Sequence, residues 1–224
     1  MSRSWQLGIG LLLTGLAGYV DALGFVRLGG LYTSFMSGNT TQLAVFGAET
    51  ELHRMLLPAV LLLAFLTGSV IGSGLAILVP PRWTTPAVLA YEALLILGGL
   101  GLGPQSPELG IAAFFMAVAM GSQNAVLAQV KGFRAGTTFV TGALFSLGQK
   151  IAQALTRTGD PLGWVGDGLV WLSLLFGAYL GAHAYGQFAL YALIAPAAIS
   201  GGLALITAVL VLRTAPPAAK VPPT

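Results

Sequence analysis

Residues 18–39, GYVDALGFVRLGGLYTSFMSGN, set an acid, an amide and a run of hydroxyls inside otherwise apolar sequence. Asp21 stands fourteen residues after Leu7, where the first apolar segment begins. A carboxylate facing lipid at such depth costs at least ~2.5–3.5 kcal/mol, so Asp21 must face protein, water or a ligand. The Gly29-Gly30 pair then interrupts the chain. The segment that follows, 31–48, carries Tyr32, Thr33, Ser34, Ser37, Asn39, Thr40, Thr41 and Gln42. It is too polar for a lipid-facing helix and reads as protein-buried or cavity-lining.

A second version of this stretch lies in the other half of the chain. Gly18-x-x-Asp21-Ala22 is answered by Gly121-x-x-Asn124-Ala125, and Thr33-Ser34-Phe35-Met36-Ser37-Gly38 by Thr137-Thr138-Phe139-Val140-Thr141-Gly142. Further on, Gly68-x-x-x-Gly72 after Phe65-Leu66-Thr67 pairs with Gly177-x-x-x-Gly181 after Leu174-Leu175-Phe176. Single matches of small residues carry little weight, but collinear matches across the whole chain read as a tandem duplication.

Composition sets the class. Hydrophobic residues make up 56% of the chain and charged ones 8%, against ~25% in soluble domains. The ten Lys and Arg are scattered, so there is no footprint for nucleic acid. The lack of cysteine removes disulfides and thiolate chemistry. The run after Arg3 contains Asp21 and belongs to the repeat, so we read it as a first span and not as a cleaved leader.

The expected fold is an all-α polytopic membrane protein of two tandem pseudo-symmetric repeats, residues 1–103 and 109–213. A turn-rich linker joins them at 104–108, and a mobile Pro-rich tail closes the chain at 214–224. Segments are expected at 7–28, 31–48, 56–79 and 86–102 in the first half, then at 109–130, 135–149, 168–185 and 189–212. Glu49, Glu51, His53 and Arg54 read as a hydrophilic loop, as do Lys150, Arg157 and Asp160. Two topologies compete. If the polar segments 31–48 and 135–149 cross, there are eight spans, four per half, with basic residues split six inside to four outside. If they are short re-entrant or broken helices, six full spans remain and the halves are inverted, with eight basic residues inside and two outside. The positive-inside rule favours the second.

The residues GYVDALGF and the stretch from Thr33 to Asn39 ending in SGN resemble the hallmark of the YoaK-like family of bacterial inner-membrane proteins, a domain of unknown function. The hallmark here is Gly18, Asp21, Ala22, Gly38 and Asn39, with Gly121 to Ala125 as its partner in the second half. The resemblance extends over essentially the whole chain. Ser37 stands where the family pattern often has Thr. The resemblance implies a multi-pass protein of the bacterial plasma membrane and carries no substrate.

Each candidate residue has a functional and a structural reading. Asp21 is a proton- or cation-binding carboxylate, or an acid paired with Arg27, or a cap on a broken helix. Asn124 keeps its shape without its charge, and binds a solute or joins two helices. Asn39 lines a pathway or caps the next half-helix. Glu92, a third of the way into its segment, and His183, near a span end, read as structural. The two Gly-x-x-x-Gly pairs read as close helix contacts and are compatible with a homodimer.

Enzyme signatures are missing: there is no Gly-x-Ser-x-Gly, no phosphate loop and no His-Glu-x-x-His, so no enzyme, cofactor or metal site is expected. The leading expectation is a transporter or channel for a small solute or ion, working in the lipid bilayer. Its site would lie between the repeats and draw on Asp21, Asn39, Asn124, Gln123, Thr33, Ser37, Thr137 and Thr141. The alternative is an accessory or assembly protein whose polar faces hold a partner, with an intramembrane enzyme the least favoured reading.

Overall fold

The computed structural model of the chain describes residues 3–105, 110–127 and 140–214. Among them are eight α-helices: α1 (Arg3–Arg27), α2 (Met36–Ala48), α3 (Leu52–Leu78), α4 (Thr84–Leu102), α5 (Ile111–Leu127), α6 (Val140–Leu155), α7 (Val165–Phe188) and α8 (Ile194–Arg213). Short 3-10 turns lie at Pro81–Trp83, Gly103–Gln105 and Ala189–Leu193. The tail beyond Thr214 and most of the linker between the halves lie outside the described residues.

Four stretches are long and apolar enough to cross a membrane: Leu7–Arg27, Leu52–Leu78, Pro81–Leu102 and Val165–Arg213. The last, 49 residues, is too long for one crossing. It breaks at Ala189, whose φ of 48° ends α7 before the chain turns into α8. Ile111–Val126 is a shorter apolar helix. Large apolar side chains such as Leu63, Leu66, Val70, Ile77 and Leu78 of α3 face outward, as lipid contact requires. The centre is α5, where Ala112, Ala113, Met116, Ala117, Ala119 and Met120 are all buried. Its small side chains let α3 and α4 pack close on either side.

Helix directions follow from the contacts. Ser173 Oγ donates to the Leu11 carbonyl (2.6 Å), Gly177 meets Gly15, and Gly181 meets Tyr19, so α1 and α7 run the same way. Gly68 meets Val118 and Gly72 meets Ser122, so α3 and α5 do too. In contrast, α4 and α8 run oppositely. Glu92 pairs with Ser200, while Gly103 just past α4 lies against Leu190 ahead of α8. In each parallel pair a glycine of one helix sits on the backbone of the other, where even a methyl group would overlap a carbonyl. Gly18 meets Leu174 and Ala178, and its sequence counterpart Gly121 meets Phe65 and Ser69. The Gly-x-x-x-Gly pairs are thereby spent inside the chain, and a homodimer would need another surface.

The chain also returns on itself. Leu28 to Leu31, after α1, face His53, Arg54 and Leu57 at the start of α3, so the chain enters α3 on the side of the bundle where it left α1. With 13 residues, α2 spans about 20 Å, short of the ~30 Å hydrocarbon core. In the second half α6 packs beside the start of α7, where Lys150 pairs with Asp167 (2.6 Å) and Ser146 Oγ donates to the same carboxylate (3.1 Å).

Several expected boundaries change. Residues 31–35 are not helical, because Gly29 (φ 64°) and Gly30 (φ 113°) turn the chain out of α1 and side chains then hold it open. His53 and Arg54 belong to the first turn of α3 rather than to a loop. Lys150 lies within α6, which runs past 149 to Leu155.

Candidate functional site

The non-helical residues 31–35 are held from either side by the half-buried carboxylate of Asp21 and the buried amide of Asn39. Asp21 Oδ1 accepts the backbone N–H of Thr33 (2.8 Å) and of Ser34 (2.7 Å), and the Thr33 hydroxyl lies 3.3 Å away. Asn39 treats Tyr32 as one peptide treats another: its Oδ1 accepts the Tyr32 N–H (2.9 Å) and its Nδ2 donates to the Tyr32 carbonyl (2.7 Å). Backbone groups that would be orphaned between α1 and α2 are thus satisfied by side chains, as their burial demands. The Asp21 carboxylate takes these amides rather than Arg27, which separates the capping reading from the ion-pair reading.

The same geometry accounts for the glycines of the motif. A Cβ on Gly24 would lie 2.5 Å from Thr33 Cγ2, and one on Gly38 2.9 Å from the rings of Tyr32 and Phe35. The Tyr32 ring is wedged between Phe25 and Phe35, with centroids 5.0 and 5.1 Å away. Gly24, Gly38, Asp21 and Asn39 therefore form one device that grips a short open loop. Its leading edge, Leu28 to Leu31, forms a wall of a cavity of about 400 Å³ completed by Gln42, His53 and others. At that mouth Arg54 pairs with Glu51 (2.5 Å) and its guanidinium lies 4.2 Å from the centre of the Phe46 ring.

A second polar cluster sits deeper. Glu92 of α4 and Gln123 of α5 are fully buried, and Glu92 Oε1 accepts hydrogen bonds from Gln123 Nε2 (3.2 Å) and from Ser200 Oγ of α8 (3.0 Å). Glu92 Oε2 and Gln123 Oε1 are buried without a partner among the described residues. Counted from the start of α4 at Thr84, Glu92 is close to mid-helix rather than a third of the way in.

The structure thus divides the expected site residues. Asp21 and Thr33 meet directly, and Asn39 joins them through the loop. Gln123 belongs to the Glu92 cluster. Asn124 donates to the Met120 carbonyl of its own helix (3.2 Å), its Oδ1 is unpartnered, and it shares no hydrogen bond with Asp21 among the described residues. Ser37 and Thr141 are exposed, and Thr137 lies outside the described residues. His183 faces outward, stacked on Tyr179 and bonded to Gln187 (3.0 Å). Sequence reading placed Glu92 among the structural residues without its partners and missed Ser200, whose only signal was a hydroxyl beside two glycines in an apolar helix.

The profile of a family described as "Protein of unknown function (DUF1275)" matches residues 9–206. UPF0700 transmembrane protein RA0705 of Rhizobium meliloti (strain 1021) is similar to the chain, 32% identical over 182 residues, which cover 80% of this chain and 77% of the relative. No solved structure matches. Its long apolar helices, its lipid-type surface and this transmembrane relative agree, and the chain belongs to the DUF1275 family as a multi-pass membrane protein.

Proposed function

We propose that the protein is a transporter or channel for a small solute or ion, and not an enzyme, in a bacterial plasma membrane. The observation that carries this reading is the open loop 31–35. It is gripped by Asp21 and Asn39 and continues directly into a wall of a cavity large enough for a small solute. Non-helical backbone at membrane depth is tolerated where it is buried in protein or lines a cavity, and broken helices of this kind bind substrates and ions in transporters. Asp21 is the charged member of the grip. Gain of a proton or a cation there weakens its hold on the Thr33 and Ser34 amides, because hydrogen bonds to an ionised acceptor are roughly twice as strong as those to a neutral one.

The architecture we propose with it is a duplicated unit in inverted arrangement, with six crossings and with α2 and α6 as returning segments. Three observations support it: the opposite directions of α4 and α8, the start of α3 on the side where α1 ends, and the matched seats of Gly18 with Gly121 and of Gly68 and Gly72 with Gly177 and Gly181. Each half contributes its first helix to the third helix of the other, so any movement of one half pulls on both interfaces. Asn124 would then oppose Asp21 across the pseudo-axis as its uncharged counterpart.

The test is flux of protons, sodium, potassium and a panel of labelled small cationic and neutral polar solutes into proteoliposomes containing the purified chain. Flux above protein-free vesicles for at least one probe is the expected result. No flux for any probe, together with constant co-purification of a heterologous partner contacting Asp21 or Asn39, would favour the accessory reading instead.

A further inference from the structure

Glu92 lies about 12 Å along α4 from Thr84 and about 15 Å from Leu102, at the middle of the helix. Its whole side chain is buried, and both of its hydrogen-bond donors, Gln123 and Ser200, are neutral. Among the described residues, no opposite charge approaches from the elements packed on α4. Residues 111–127 of α5 hold no titratable side chain, and α8 has only Arg213 at its last position. The charged and ionisable groups of α3 are His53 and Arg54 in its first turn, the turn before α4 has Arg82, and the turn before α8 has an exposed Tyr191. On α4 itself the neighbour is Tyr91.

The unpartnered atoms of the cluster are of one kind. Glu92 Oε2 and Gln123 Oε1 are both acceptors, and both are sealed from solvent. An ionised carboxylate left with a bare buried oxygen and no countercharge is strongly disfavoured, and a missing donor is the simplest remedy. One proton supplies it. On Oε2 it cancels the charge and turns that oxygen into a donor, in a cluster whose other bare atom is an acceptor.

We propose that Glu92 is a proton-binding site: a carboxylic acid that holds its proton in the closed bundle and exchanges it only when α4, α5 and α8 separate. The three side chains come from three helices on both sides of the inter-half linker, so relative movement of the halves would strip Gln123 or Ser200 from the carboxyl and admit water. The ligand is the proton itself. The proposal stands apart from the flux reading, because it can be read spectroscopically on protein at rest.

The test is infrared spectroscopy of the purified full-length protein in nanodiscs, following the carbonyl band of protonated carboxylic acids at neutral pH, on transfer to heavy water and on alkaline titration. The expected result is a band at neutral pH that shifts slowly in heavy water, disappears in one step at high pH, persists in Asp160→Asn, and is lost in Glu92→Gln. Ser200→Ala, which removes one donor while keeping Glu92, should displace the band without abolishing it, and serves if Glu92→Gln does not fold. Absence of the band in the wild type at neutral pH overturns the proposal. Loss of the band in Asp21→Asn instead would assign the proton to Asp21. Its loss on replacing choline by sodium at constant pH would make the cluster a sodium site.

Discussion

Removing the two side chains that grip residues 31–35 should have sharply different effects depending on which atoms are left behind. Asp21→Ala strips the acceptor from the Thr33 and Ser34 amides, and Asn39→Ala strips both partners from the Tyr32 peptide. Each leaves two backbone groups without a partner, at ~1–3 kcal/mol apiece where burial is complete, so each variant should lose roughly 2–6 kcal/mol. Asp21→Asn is different. Its amide oxygen still accepts from Thr33 and Ser34, and the half-buried charge is gone, so the loss should stay near ~1 kcal/mol. Asn39→Asp keeps the acceptor for the Tyr32 N–H but sets an oxygen against the Tyr32 carbonyl, and should fare no better than Asn39→Ala. Thermal unfolding of the purified variants in one detergent gives the ranking, and amide hydrogen exchange reads the loop locally. If Asp21→Ala and Asp21→Asn lose the same stability, the amide grip is not what Asp21 supplies and the reasoning fails.

Gly72→Ala and Gly181→Ala each drive a methyl group into a neighbouring backbone, at Ser122 and Tyr19 respectively. Both should lose at least ~1–3 kcal/mol by overpacking and by similar amounts, and a large difference in melting temperature between them would argue against equivalent interfaces. Lys150→Met removes an ion pair whose two side chains are partly solvent-exposed, and should change stability by no more than ~1 kcal/mol, which a thermal melt can check. A reporter fused after Glu51 should report the periplasm and one fused after Lys131 the cytoplasm; opposite results at both points would mean that the short helices cross and that the halves share one orientation.

The sequence disclosed the class of protein and the helices with the longest apolar runs, because burying apolar surface in lipid leaves a signal in composition that needs no knowledge of partners. It also singled out Asp21, Asn39 and the motif glycines, since an acid and an amide at membrane depth must be satisfied by something. What satisfied them was not legible. The partners of Asp21 and Asn39 are backbone groups of residues 32–34, and a backbone amide has no sequence signature. The mid-helix place of Glu92 was not legible either, because Pro86 looked like the start of its helix, whereas proline in a first turn is readily accommodated and α4 begins at Thr84. Ser200 is one hydroxyl in an apolar helix, and only the antiparallel contact of α4 with α8 gives it a role. The Gly-x-x-x-Gly pairs announced close helix contacts but not their partners, which lie in the other half of the chain.

The most direct test of the account is solute or ion flux in proteoliposomes by Asp21→Asn, measured with whichever probe the wild-type protein moves and alongside its melting temperature. The account predicts a protein that melts close to the wild type and carries no flux, because the loop is still gripped but the charge that regulates the grip is gone. A stable Asp21→Asn protein with wild-type flux would contradict it.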